Sequence, residues 1–326
     1  MGWVRDGRSW LNPCVDMTLR TRDRASALAW LVLWAATPFT VGDALAGALS
    51  GADATTARAL SSTAWVAWAA VAVAAAVPRS VVLTAIRIAA PAPLAVAVVV
   101  AIGHDPSPLA LASGTTVAVM TVAPGLAPFY IGGSAYGSEL RAPLRLPPAL
   151  LLGPLPLGWL AVAGGSTAPV VLLADRRWLP AVIATVVGVP IALVAVRAVH
   201  GLARRWLVFV PAGVVLHDPY TLADPVLLPR SMIELIGPAP ARSDALDLTA
   251  GAWGLAIEVR LREPLTLTLA RHGFRRRQRG DTGRCSRLIV TPTRPGRVLR
   301  EADRRGIPLG SDQAAATAPP STTSPS

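Results

Sequence analysis

The sequence predicts an α-helical membrane bundle of about six transmembrane helices, followed by a mostly-β domain with a capping helix. Three observations predict it. The chain is 52% hydrophobic and only 15% charged, against about 25% charged residues in an ordinary soluble domain. The deficit is confined to residues 25–200, where Ala, Val, Leu, Ile and Pro run on with isolated charges between them. From Leu202 onward charge is frequent, and the apolar period changes from that of a helix to that of a strand.

A hydrocarbon core about 30 Å thick takes about 20 apolar helical residues to cross. Six stretches approach that length: 25–49, 62–77, 88–102, 109–131, 148–163 and 179–199. The second, third and fifth are short, so five is the alternative count. Pro38, Pro91, Pro93, Pro124, Pro128, Pro154, Pro156 and Pro190 fall in or beside these stretches. Neighbouring helices can satisfy the carbonyls that proline frees in a membrane, so kinks are expected rather than breaks.

All 31 basic residues are arginine, and the net charge is +12. Their distribution sets an orientation through the positive-inside bias. Arg5, Arg8, Arg20, Arg22 and Arg24 precede the first span, Arg79 and Arg87 lie between the second and third, and Arg141 and Arg145 between the fourth and fifth. Arg204 and Arg205 follow the sixth, with Arg197 at its end. The other side holds only Arg58, Arg176 and Arg177. Both termini are therefore expected in the cytosol, in a multi-pass protein of the cell membrane. The first apolar run is long for a cleaved signal, despite Ala44-Leu45-Ala46, and reads as a retained anchor.

The domain division that follows is 1–24, a cytosolic segment; 25–200, transmembrane; 203–308, a cytosolic β-rich domain; and 309–326, a low-complexity tail too polar to fold alone. In the third region strands are expected at 206–210, 214–217, 226–229, 232–236, 256–262, 265–270 and 288–291, each bounded by Pro, Gly or Asp. Pro295-Gly296 opens a helix at 297–305, which Gly306 and Pro308 end. The stretch Arg204–Ile233, RRWLVFVPAGVVLHDPYTLADPVLLPRSMI, resembles the opening of bacterial pleckstrin-homology-like (PH-like) domains. The chain as a whole resembles multi-pass membrane proteins of actinobacteria that carry such a domain. That resemblance implies a lipid- or protein-binding module held at the membrane.

The densest chemical signal is the arginine cluster in RHGFRRRQRGDTGRCSR, read as a long loop between two strands. Arg271, Arg275, Arg276, Arg277 and Arg279 are the candidate contacts to anionic lipid, worth about 1 kcal/mol per basic residue near a charged surface. A solvated loop obeying the charge asymmetry is the other reading. Nucleic acid would call for interleaved aromatics, and Phe274 stands alone. Asp43, Arg87 and Glu139 are the ionisable residues in or near the spans, the default suspects for function.

No catalytic, cofactor or metal pattern stands out. His104, His200, His217 and His272 are scattered, without metal-ligand spacing. No GxSxG elbow occurs, and Gly132-Gly133 and Gly164-Gly165 read as helix ends. Cys14 and Cys285 are far apart in segments read as cytosolic, where a disulfide is not expected. Trp30/Trp34 and Trp65/Trp68 have helical spacing that suits packing or interface anchoring. The functional expectation is an anchored PH-like module that meets membrane lipids, with a protein partner as the second class of ligand. A small transporter or channel, suggested by the kinked spans, is the alternative.

Overall fold

A computed structural model describes residues 13–122, 125–133, 135, 139–271 and 278–310. The chain forms two compact units. One, residues 12–135 and 149–204, is helical; the other gathers residues 136–148 with 205 onward and is built largely of strands.

The helical unit runs α1 (Pro13–Ala36), a 3-10 turn (Thr37–Phe39), α2 (Val41–Leu49), α3 (Ala54–Ala75), α4 (Ser80–Ala89), α5 (Pro91–Gly103), α6 (Pro108–Met120), α7 (Leu126–Gly132), α8 (Pro148–Leu152), α9 (Pro154–Ala174) and α10 (Trp178–Ala203). Five stretches are long and apolar enough to cross a membrane: Thr21–Leu49, Ala54–Ala75, Ser80–Gly103, Pro148–Ala174 and Trp178–Ala203. The fourth expected span, 109–131, is the exception. Its helix α6 stops at Met120 and α7 begins at Leu126; Pro124, between them in the sequence, lies outside the described residues. Pro108–Met120 is a shorter apolar helix, so the count is five with a sixth piece.

Proline divides the first and third spans, at Thr37-Pro38 and Ala90-Pro91. It stays inside α9 as Pro169 and inside α10 as Pro190. Asp53 opens α3, its carboxylate accepting from the Thr55 and Thr56 amides at 2.7 and 3.2 Å. These two bonds, with the Thr56 side chain first among the causes, hold its carboxyl below the usual value. Arg58, expected in a loop, lies within α3.

The burial pattern of this unit is inverted relative to a soluble bundle: Leu160, Val186, Val194 and Ile102 are exposed, on helices long and apolar enough to cross a membrane. The interior is lined by Trp30, Leu83, Ile86 and Tyr130. Trp34 and Trp68 exchange hydrogen bonds, each indole N–H donating to the other's carbonyl at 3.1 and 3.0 Å. Trp30 stacks on Trp34 at 5.3 Å. Gly164-Gly165 does not end a helix: α9 runs on to Ala174. A Cβ on Gly165 would stand 2.4 Å from the Gly188 carbonyl oxygen on α10. The two glycines let α9 and α10 approach backbone to backbone, the usual role of small residues at membrane helix contacts.

The second unit holds two four-stranded sheets. The first has the order β1 (Leu140–Pro143), β2 (Trp206–Val210), β3 (Gly213–His217) and β4 (Val226–Pro229), antiparallel throughout. The second has the order β5 (Ile233–Pro238), β7 (Ile257–Arg271), β8 (Gln278–Val290) and β6 (Leu246–Asp247), with only β6–β8 parallel. Phe209, Val214, Leu228, Ile236, Val259 and Leu288 pack into one core. Helix α11 (Pro295–Arg304) adds Val298 and Ala302 to it. That shared core is what makes this unit a domain in its own right.

Two expectations change here. Strands 256–262 and 265–270 are one strand, β7, that passes through Glu263-Pro264. Residues 261–264 lie opposite Ser286 alone, between the pairs Arg260↔Arg287 and Leu265↔Cys285. A bulge absorbs the proline that a regular ladder would reject. The segment carrying Arg141, read as a plain loop between spans, supplies β1 at the edge of the first sheet, Arg141 opposite Val208.

Candidate functional site

The predicted arginine loop is shorter than its sequence suggests. Pairing of β7 with β8 continues to Arg271↔Gln278, so Arg279, Arg284 and Arg287 belong to a strand and not to a loop. Arg275, Arg276 and Arg277 lie outside the described residues, and Arg271 and Arg279 are described in backbone only.

Glu139 is an ion-pair partner, its carboxylate 3.2 Å from Arg141. Arg141 in turn lies over the Trp206 ring at 5.6 Å, and Trp206 stacks on His217 at 5.1 Å. This ladder runs across β1, β2 and β3 and has the character of a structural brace. Asp43 is exposed in the first turn of α2, where a carboxylate suits the helix dipole.

Beneath the ladder sits a pair that the sequence reading passed over. Arg205 donates from Nε and Nη2 to the two carboxylate oxygens of Asp218, both at 2.8 Å. The side chains are 1% and 0% exposed. Arg205 Nη1 also donates to the Arg145 carbonyl at 3.1 Å, and the Tyr220 amide donates to Asp218 at 3.0 Å. The signal was present in the hairpin register. Trp206 pairs with His217, so the next residues outward, Arg205 and Asp218, face each other across the strand ends.

The third place of interest is Arg87 in the helical unit. Its side chain is 8% exposed, and its Nε is buried without a hydrogen-bond partner. Among the described residues no carboxylate pairs with it. One turn before it on the same helical face is Thr84, whose hydroxyl lies 2.9 Å from His200 Nδ1 on α10 and 3.2 Å from the Ser80 carbonyl. A His200 tautomer protonated at Nδ1 satisfies all three groups. The Arg87 carbonyl accepts from the Trp159 indole on α9 at 2.9 Å. Helices α4, α9 and α10 thus converge on a polar patch whose fixed charge is positive. Among the described residues no carboxylate is paired with His200 to orient its ring. What the patch can do is hold an anion.

A final feature is a loop of the β-rich unit between β6 and β7. Trp253 and Leu255 are 76% and 74% exposed at its tip. The loop is stiffened from within: Asp247 accepts from the Thr249 amide at 2.7 Å, and the Thr249 hydroxyl accepts from the Gly251 amide at 3.2 Å. Ala250, Gly251 and Gly254 adopt φ of 55°, 75° and 123°. Gly254 lies against the Arg145 guanidinium, where a Cβ would come within 2.8 Å.

Compared with known proteins, the chain matches no family model, no curated protein and no solved structure.

Proposed function

We propose that this chain is a multi-pass membrane protein that holds a PH-like module at the cytosolic face of the cell membrane. The module rests on the lipid surface there and presents its basic hairpin to anionic headgroups. The apolar helices support the anchor, and the arginine excess on one side supports the orientation. Two four-stranded sheets closed by a C-terminal helix support the module.

The observation that carries the lipid reading is the Trp253 loop. It is braced on Arg145, which stands three positions before Pro148, the first residue of an apolar helix long enough to span. A loop that exposes Trp and Leu, in a unit joined to an apolar helix through so short a connection, suits the interfacial belt, where an indole has an apolar body and a polar N–H to satisfy.

The test is depth-dependent quenching. Full-length protein with Cys14→Ser, Cys285→Ser and Leu255→Cys is labelled with a fluorophore and reconstituted in vesicles. Quenching by nitroxide-bearing phospholipid, with protection from aqueous iodide, is the expected result. The opposite pattern removes the lipid-surface reading and leaves a protein-facing module.

A further inference from the structure

We infer that Arg87 is the core of a binding site for a phosphate group, built into the helical unit where α4, α9 and α10 meet. The inference needs the helical unit to be solvated by lipid; it does not depend on what the β-rich module contacts.

Three observations carry it. First, a buried guanidinium without a counter-charge costs several kcal/mol, and natural proteins seldom leave one so. Arg87 is 8% exposed with its Nε unpartnered, and an anion supplied from outside the chain removes that cost. Second, no counter-charge is supplied from within: the groups on this patch besides Arg87 are the neutral Thr84 and the imidazole of His200, and among the described residues no carboxylate pairs with the guanidinium. Third, the anchor points are fixed. Trp159 holds the Arg87 backbone at 2.9 Å, and Thr84 ties α4 to His200 on α10 at 2.9 Å. The site is held by three helices and not by one mobile side chain.

Depth and shape select the ligand. Arg87 is the eighth residue of the span Ser80–Gly103, about 10 Å along the axis from its start at 1.5 Å per residue. On a span of 24 residues, about 36 Å long, that lies in the half adjoining one membrane face, between the headgroup layer and the bilayer centre. A planar guanidinium presents paired N–H groups that match two oxygens of a phosphate. A phospholipid headgroup is one source of that phosphate at this depth, and free phosphate entering from the aqueous side is the other. Conversely, a site for a cation or an uncharged sugar would not place its one fixed charge as an unpaired arginine.

Thermal unfolding of the full-length protein in a maltoside detergent tests the site. The wild type and Arg87→Met are titrated with dioleoyl phosphatidylglycerol, with inorganic phosphate, and with monoolein, a lipid without phosphate. The expected result is a rise in the wild-type melting temperature of roughly 5 °C or more at saturation, absent in Arg87→Met and absent with monoolein. A rise with phosphatidylglycerol alone assigns the phosphate to lipid. A rise with inorganic phosphate assigns it to a soluble ion. Arg87→Lys, which keeps the charge and loses the fork, should need about tenfold more ligand for the same rise, and it serves in place of Arg87→Met if that variant does not fold. No phosphate-dependent rise in the wild type, or an equal rise in the wild type and the variants, overturns the inference. Neither result bears on the Leu255 quenching pattern, so failure of this site and failure of the module reading are told apart.

Discussion

Arg205 and Asp218 meet through two parallel N–H···O bonds of 2.8 Å, wholly out of water, at the open end of the β2–β3 hairpin. The pair does more than close a hairpin. Through Arg205 Nη1 it holds the Arg145 carbonyl, and so fixes the segment that follows β1 in the chain. One buried ion pair therefore binds together two stretches of chain that are sixty residues apart.

Removing one member leaves the other charged and buried. Asp218→Ala is expected to destabilise the β-rich unit by about 3–5 kcal/mol, whereas Arg205→Met with Asp218→Leu is expected to cost much less or nothing. Urea unfolding of the full-length protein in detergent, followed by far-ultraviolet dichroism in the strand region, checks both.

The β1 edge offers a second test. Ala142 is 7% exposed and pairs with Leu207. Ala142→Asp puts an unpaired carboxylate into the core cluster, a change that costs several kcal/mol of stability. The variant should be cut by trypsin within the β-rich unit under conditions that leave the wild type whole, as read on a gel of the reconstituted protein. Equal resistance would show that β1 is dispensable.

In the helical unit, Gly165→Val tests the α9–α10 approach. Its added atoms meet the Gly188 carbonyl, so the helices must part and lose packing along their length. A fall in melting temperature is expected, and Gly164→Val, which has open space beside it, should be nearly neutral. A comparable fall in both variants would contradict the close approach.

Cys285 lies in β8 opposite Leu265, and burial pushes its thiol above the usual value. The thiolate is the reactive form, so alkylation at pH 8 should be slower than for an exposed cysteine, and the half-maximal rate should come at higher pH. The measurement is maleimide labelling of a Cys14→Ser variant across pH 7–10 by mass spectrometry. A normal pH midpoint would show that the thiol is solvated.

Much of the architecture follows from local pattern, because solvation acts on each stretch of residues where it stands. The apolar runs before residue 204, the strand pair 206–217 with its Pro-Ala-Gly turn, and the closing helix after Pro295 are set by hydrophobic period and by Pro and Gly. They are legible without knowing what they touch. The arginine asymmetry is of the same kind, a sum over loops. What the tertiary structure decided are relations between distant residues. Residues 140–143 have no strong strand signal, and they become β1 only because β2 offers them an unpaired edge. Gly165 looks like a helix end until Gly188 is set beside it. Arg87 looks like an interfacial charge until the folded helices bury it. Composition fixed how apolar each region is, because transfer free energy adds residue by residue. Which charges are buried, and what they lack, depended on packing, which no single stretch of sequence contains.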